Sequence, residues 1–326
     1  MNPKRKIIFR ADASPEIGYG HFIRTLALAD MLKDDFDCVF YTQIPTDYQK
    51  KEAASVCPLV ELPATDSRLE LFLDMLTGDE IVVLDNYFYT TDYQRKIKEK
   101  GCQLVCIDDM HDKHYVADLV INHGNVSPEQ FSKEPYTLLC LGLDYALLRR
   151  PFLEAAKRTR LKGSNKNVER VAICFGGSDP LHLTEKTLTE LMLITSIQWI
   201  DVIVGAHFNA FAQFEDLRIH FHQSISAQEV AYIFTACDVA IVSTSSVCIE
   251  ALACGATVAA GWYVDNQREG YIDLISKGWI IGLDYLGRTN FTLAITENKT
   301  KSVFSLPDIK KNFIHAFKSL NYVRGI

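Results

Sequence analysis

Ile7-Ile-Phe-Arg-Ala-Asp-Ala-Ser-Pro-Glu-Ile-Gly-Tyr-Gly-His21 starts as a short apolar run, passes through a loop with two glycines and enters a candidate helix spanning 21–33. A run this short, closed by a glycine-containing loop and a helix, reads as a strand buried on both faces that feeds a crossover helix. The pattern recurs along the chain. Residues 38–41, 81–84, 104–107, 119–121 and 138–141 read as further buried strands, with candidate helices at 48–56, 68–76 and 91–100. This alternation predicts right-handed βαβ units and a parallel sheet.

The alternation breaks at 154–169, Glu-Ala-Ala-Lys-Arg-Thr-Arg-Leu-Lys-Gly-Ser-Asn-Lys-Asn-Val-Glu, a polar and cationic stretch that reads as a linker. It then restarts with strands at 171–175, 199–204, 239–242 and 256–260 and helices at 181–193, 227–235, 246–253 and 267–276. The expected fold class is α/β, with two doubly wound, Rossmann-like domains over 1–155 and 168–305 facing an interdomain cleft. Ligands of open sheets bind at the carboxyl ends of the strands, so candidate residues are sought there.

Composition agrees with that frame. The 326 residues are 48% hydrophobic and 23% charged, enough apolar material for two full cores. Lys plus Arg number 34 against 41 for Asp plus Glu, a net charge of −7, which argues against a nucleic-acid partner held by a general phosphate field. No apolar stretch approaches the roughly 20 residues that span a bilayer, and the N-terminus lacks a signal-peptide core, so neither membrane insertion nor export is expected. Most of the nine cysteines sit inside apolar runs and read as small buried hydrophobes of a reducing, cytoplasmic setting.

Chemistry-bearing residues gather at predicted strand ends. Gly18 and Gly20 would relieve a tight turn and let a ligand approach the backbone, with Asp12 earlier in the same loop. His21 falls at the start of a helix, where the helix dipole and Arg24, one turn on, both disfavour a further positive charge. A histidine so placed can act as a general base; the same residues also read as a turn with a polar helix-terminal side chain. In the second half, Phe175-Gly-Gly-Ser-Asp-Pro180 offers Gly176, Gly177, Ser178 and Asp179 before a helix. An N-cap pair followed by proline predicts free N–H groups suited to phosphate, although a plain turn reads equally well. It matches neither the dinucleotide fingerprint nor a Walker A loop, so no cofactor is expected. Ser243-Thr-Ser-Ser246 opens another helix. Ser243, Ser245 and Ser246 could hold a diphosphate and Glu250 a ribose, or simply cap a buried helix. Asp85-Asn-Tyr87 ends a strand. Asp108-Asp-Met-His-Asp-Lys-His114 offers carboxylates and imidazoles, yet an ordinary solvated loop looks the same, and no metal is expected there.

Phe9-Arg-Ala-Asp-Ala-Ser14, Ile17-Gly-Tyr-Gly-His-Phe-Ile-Arg24, Asp85-Asn-Tyr87, Ile107-Asp-Asp109, Gly142-Leu-Asp-Tyr-Ala-Leu-Leu-Arg149, Phe175-Gly-Gly-Ser-Asp-Pro180 and Asp265-Asn-Gln267 occur in this order. Together they resemble the UDP-2,4-diacetamido-2,4,6-trideoxy-β-L-altropyranose hydrolases of pseudaminic (nonulosonic) acid synthesis, over residues from about 7 to 280. That family is similar to the GT-B glycosyltransferases, including the enzyme that adds N-acetylglucosamine to lipid I. The resemblance implies a GT-B-like fold whose last helix, within 306–326, crosses back to the N-terminal domain. It also implies a small-molecule UDP-sugar substrate, with UDP mostly on the C-terminal half, in a cytoplasmic, monomeric enzyme without metal or cofactor. Water would attack the anomeric carbon with inversion, in the synthesis of a surface polysaccharide or glycoprotein. The family's base falls on His21 and its other site residues on Tyr87 and Asn266, with Gln267 beside them. Two departures stand out. The glycine usual within the segment matching 243–246 is absent, and Asn86 replaces a histidine or serine. A GT-B glycosyltransferase, a hydrolase of a related UDP-sugar and a non-catalytic sugar-nucleotide binder are the alternatives.

Overall fold

The computed structural model describes residues 4–14, 19–65, 67–124, 126–158, 168–176, 179–205, 208–209, 211–296 and 304–320. These form two compact units: one comprises residues 1–149 with 307–326, the other 150–306.

The first unit runs β1 (Lys6–Ala11), α1 (Gly20–Leu32), β2 (Asp37–Gln43), α2 (Asp47–Ala54), β3 (Leu59–Leu62), α3 (Arg68–Asp74), β4 (Ile81–Asp85), α4 (Thr91–Glu99) and β5 (Gln103–Ile107). It continues through β6 (His114–Tyr115), β7 (Leu119–Asn122), β8 (Ser132–Lys133) and β9 (Leu138–Leu141). Seven strands form one parallel sheet in the order β3-β2-β1-β4-β5-β7-β9. The order reverses between β1 and β4, which is where an open sheet of this kind parts its loops for a ligand. The central strands form because Ile7, Ile8, Phe9 and Ile81, Val82, Val83 are apolar on both faces and fully buried.

Helix α1 explains the need for a further layer. Nine of its thirteen residues are buried, too many for one contact face. One side packs on the sheet, where the Phe22 ring meets Phe40 at 4.9 Å. The other is covered by the last helix of the chain, α11 below.

The second unit contains α5 (Arg150–Arg158), β10 (Arg170–Cys174), α6 (Leu183–Leu191), β11 (Trp199–Val204), β12 (Ile219–Gln223), α7 (Ala227–Ala236) and β13 (Val239–Ser243). It ends with α8 (Ser246–Ala253), β14 (Thr257–Trp262), α9 (Arg268–Ser276), β15 (Ile280–Tyr285) and α10 (Leu293–Thr296). Its sheet is again parallel, in the order β12-β11-β10-β13-β14-β15, with the reversal between β10 and β13. The chain then returns to the first unit as α11 (Ile309–Ser319), which packs on α1 and sets Phe317 against Phe36 in the connection between α1 and β2. Lys310 and Lys318 pair with Asp34 and Asp35 at 2.7 and 2.5 Å. Being exposed, these pairs orient the helix more than they stabilise it.

The expected linker is shorter at its start than the sequence implies. Residues 154–158 continue α5, which anchors on the second unit through the fully buried Phe152 and packs against α7 and α8; 159–167 lie outside the described residues. All nine cysteines are free and buried, and burial pushes the Cys57 and Cys248 thiols up to about 12, as expected of inert core residues. No helix among the described residues is long and apolar enough to cross a membrane.

Candidate functional site

His21 is the second residue of α1, held at the carboxyl edge of the first sheet. Its Nδ1 lies 2.7 Å from Oδ1 of Asp85, the last residue of β4 and fully buried. Burial alone would raise the Asp85 carboxyl. Arg24 overrides that, with Nε 2.6 Å from Oδ2 and Nη2 2.6 Å from Oδ1; together with the His21 hydrogen bond it holds the group down to about 2. Thr25 Oγ1 donates to the same carboxylate at 2.8 Å. An ionised carboxylate only accepts, so Nδ1 of His21 is the donor toward Asp85, and Nε2 is the ring nitrogen left for a ligand.

Arg24 also reaches Asp109, beyond β5, with Nη1 3.0 Å from Oδ2. Burial disfavours the guanidinium charge, and the two carboxylates more than offset it. Tyr87, half exposed, donates its phenol to Asp109 Oδ2 at 3.1 Å, and its ring meets His21 edge-on with centroids 4.6 Å apart. Burial first and Asp109 second push that phenol up to about 12, so it remains a donor at neutral pH. The structure therefore joins four expected residues, His21, Arg24, Asp85 and Tyr87, into one charged cluster. Asp109 and Thr25 complete it. Thr25 did not stand out in the sequence; Asp109 appeared there only within the 108–114 stretch and the Ile107-Asp-Asp109 motif, without a role of its own.

Other candidates of the first unit have different roles. Asp12 is engaged by the protein itself: the fully buried Arg10 pairs with both carboxylate oxygens, and Gln43 N donates at 2.7 Å. Its backbone exchanges two hydrogen bonds with the Asn86 side chain, at 2.7 and 3.2 Å, which ties the end of β1 to the end of β4. Asp12 and Asn86 thus fix the frame on which His21 and Asp85 meet. At Gly20 the backbone is not left-handed, so the turn itself does not require glycine, and a Cβ built there meets no protein atom within 4 Å; Gly18 lies outside the described residues. The 108–114 stretch is dispersed. Asp108 accepts from Met110 N and His111 N, while His114 binds Ser132 and Glu134. Among the described residues no three His, Cys, Asp or Glu are grouped to hold a metal.

In the second unit the candidates gather at the carboxyl ends of β10, β13 and β14. Gly176 follows β10 at φ +92°, a left-handed conformation that favours glycine, with no protein atom where a Cβ would stand. Gly177 and Ser178 lie outside the described residues. The helix start expected at Pro180 is corrected: α6 begins at Leu183, after left-handed residues at Asp179 and His182. The Asp179 carboxylate accepts from Leu183 N and Thr184 N at 2.9 and 2.8 Å, so it caps the helix and occupies N–H groups that were expected to face a phosphate. Helix α8 differs, since its N-cap Ser245 makes no side-chain capping bond; Ser243 and Ser245 hydroxyls stand 3.2 Å apart, and Ser246 is exposed. Glu250 is buried one turn inside α8. Thr244 Oγ1 donates to the carbonyls of Gly261 and Gln267, and Gln267 Oε1 accepts from Tyr263 N. These bonds pin the 265–267 turn and leave Asn266 exposed on it.

No family model matches the chain. It is 27% identical over 290 residues to the UDP-2,4-diacetamido-2,4,6-trideoxy-β-L-altropyranose hydrolase of Campylobacter jejuni, which covers 86% of this chain and all of that enzyme. It is 28% identical over 286 residues to the uncharacterized protein MJ1062 of Methanocaldococcus jannaschii, covering 83% of this chain and 58% of that longer protein. Similar solved structures include Anabaena HepE in complex with UDP and glucose, at TM-score 0.60 and 13% identity over 97% of this chain and all of that one. Acinetobacter baumannii MurG superposes at TM-score 0.63 and 12% identity, over 97% of this chain and 99% of its own. The chain has the GT-B fold of these enzymes, and in sequence it is similar to the Campylobacter hydrolase along that enzyme's whole length.

Proposed function

We propose that the protein hydrolyses a UDP-sugar, and specifically the glycosyl–phosphate bond of UDP-2,4-diacetamido-2,4,6-trideoxy-β-L-altrose, releasing UDP and the free sugar. The observation that carries this reading is the His21–Asp85 pair clamped by Arg24. A base for water needs an oriented ring with an open nitrogen, and the fixed carboxylate on Nδ1 supplies both. Nε2 of His21 takes the proton as water attacks the anomeric carbon. The bond to the diphosphate oxygen breaks with its electron pair, and the configuration at carbon inverts.

The remaining candidates take supporting roles. Tyr87 and Asn266 orient the water or the sugar. On the second unit, the left-handed turn at Gly176 and the uncapped start of α8 at Ser245–Ser246 receive the negative charge of the leaving UDP. Asn86 in place of the family's histidine or serine, and the serines in place of its glycine, leave a related UDP-sugar as the nearest variant of this reading. The setting is synthesis of a nonulosonic acid in the cytoplasm, by a monomer.

The test is release of UDP and free sugar from that substrate with and without EDTA. Equal amounts of both products, unaffected by EDTA, support the reading. UDP appearing only when an acceptor is added favours a transferase, to which the MurG likeness in fold lends weight. Tyr87→Phe keeps the ring against His21 but loses the bond to Asp109. Since Tyr87 is half exposed, stability is expected to stay within about 0.5 kcal/mol, while UDP release falls about tenfold, the worth of one hydrogen bond from the phenol to the water or the sugar. Unfolding curves and initial rates check both halves.

A further inference from the structure

His123 is absent from the catalytic scheme above, yet the fold delivers it to the same place. It directly follows β7, whose register with β5 sets Ile121 beside Ile107, while β5 and β4 are aligned with Cys106 beside Leu84. Asp85, Ile107 and Ile121 therefore form one row across the sheet. Side chains alternate along a strand, so His123, two residues past Ile121, emerges on the face that carries Asp85, where Arg24 also holds Asp109. The chain is still extended at that point, because Asn122 remains paired with Leu141 of β9 and accepts from Gly142 N.

The surroundings of the ring are unusual. His123 is partly buried, and among the described residues no hydrogen bond or ion pair engages either ring nitrogen. Loss of hydration and the nearby Arg24 guanidinium lower its pKa to about 4, against the opposing pull of Asp109 and Asp85. An imidazole in that state offers one donor and one acceptor and no charge. It gives a diphosphate nothing that Arg24 would not give better, but it matches a hydroxyl or an amide.

We propose that His123 is a specificity-determining residue that hydrogen-bonds a hydroxyl or acetamido group of the sugar whose anomeric carbon is addressed through His21. This rests on the UDP-sugar reading and deepens it by assigning a sugar contact at the end of β7. The contact selects among sugars, and the nucleotide is untouched by it.

The test compares wild type, His123→Ala and His123→Gln for KM and kcat with the diacetamido UDP-sugar, and for affinity toward UDP alone. His123→Ala is expected to raise KM about five- to tenfold, the worth of one neutral hydrogen bond, with kcat changed less than twofold and UDP affinity unchanged. His123→Gln, which retains a donor and an acceptor, recovers most of the loss. A merely structural role would move UDP release, UDP affinity and thermal stability without this split. A second measurement is independent of turnover: in His21→Ala protein, the imidazole signal of His123, assigned by its absence in the Gln variant, is followed by NMR. A shift with the UDP-sugar and none with UDP supports the proposal. A signal unmoved by the UDP-sugar, or an unchanged KM in His123→Ala, overturns it. Wild type that binds the UDP-sugar without releasing UDP would overturn the hydrolase reading alone, and the NMR titration would still decide the role of His123.

Discussion

His21→Ala is expected to lower the rate of UDP release by about 10²–10⁴-fold, the usual contribution of a positioned general base. The variant should fold. Alanine is the best helix former, and position 21 lies in the first turn of α1, where the neighbouring Phe22 still packs on Phe40. The loss falls on kcat more than on KM, because the base acts on water rather than on substrate binding. Single-turnover rates with saturating UDP-sugar, beside a thermal unfolding curve, check it. A folded variant with near-normal kcat would remove His21 from the reaction.

Asp85→Asn is expected to affect both activity and stability. The carboxylate receives His21, Arg24 and Thr25 at once, so an amide there sets a donor against the donors that converge on it. Asp109, at 3.0 Å, is then the one carboxylate among the described residues left to pair with Arg24, whose charge stays largely buried. Breaking a buried pair in this way costs about 3–5 kcal/mol. Losing the orientation of the imidazole costs about 100-fold or more in kcat. The stability effect carries a pH signature. The folded carboxyl titrates at about 2, whereas an unfolded aspartate titrates near 4, so on acidification the unfolded state takes up the proton first. The contribution of Asp85 is therefore complete above about pH 4 and is lost as the pH falls from about 4 to about 2. Denaturant unfolding of both proteins over that range should show their difference narrowing; a constant difference would mean that Asp85 is not held in its charged form by Arg24.

The central strands were legible in the sequence because Ile7–Phe9, Ile81–Leu84 or Val239–Val242 bury both faces and so read as unbroken apolar runs. β3, β12 and β15 were not, and each lies at the edge of its sheet. Leu59-Val-Glu-Leu62 and Ile219-His-Phe-His-Gln223 mix polar residues into the strand because one side faces solvent, which blurs the pattern. At the site, His21 and Arg24 could be placed on one helical face from their spacing alone. That Asp85 lies between them, 64 residues from His21, is a consequence of β1 and β4 being neighbours. Spacing does not reveal it. Asp12 has the residue type and loop of a ligand, and spacing does not reveal that the fully buried Arg10 pairs with its carboxylate. The start of α6 was misplaced because proline commonly opens a helix, whereas here left-handed turns at Asp179 and His182 delay it to Leu183.

The most direct measurement is hydrolysis of the UDP-sugar in ¹⁸O-labelled water, with mass analysis of both products after a brief reaction. Attack on the anomeric carbon by water activated at His21 predicts the label in the sugar and unlabelled UDP. Label in the terminal phosphate of UDP would place the attack on phosphorus and contradict the account.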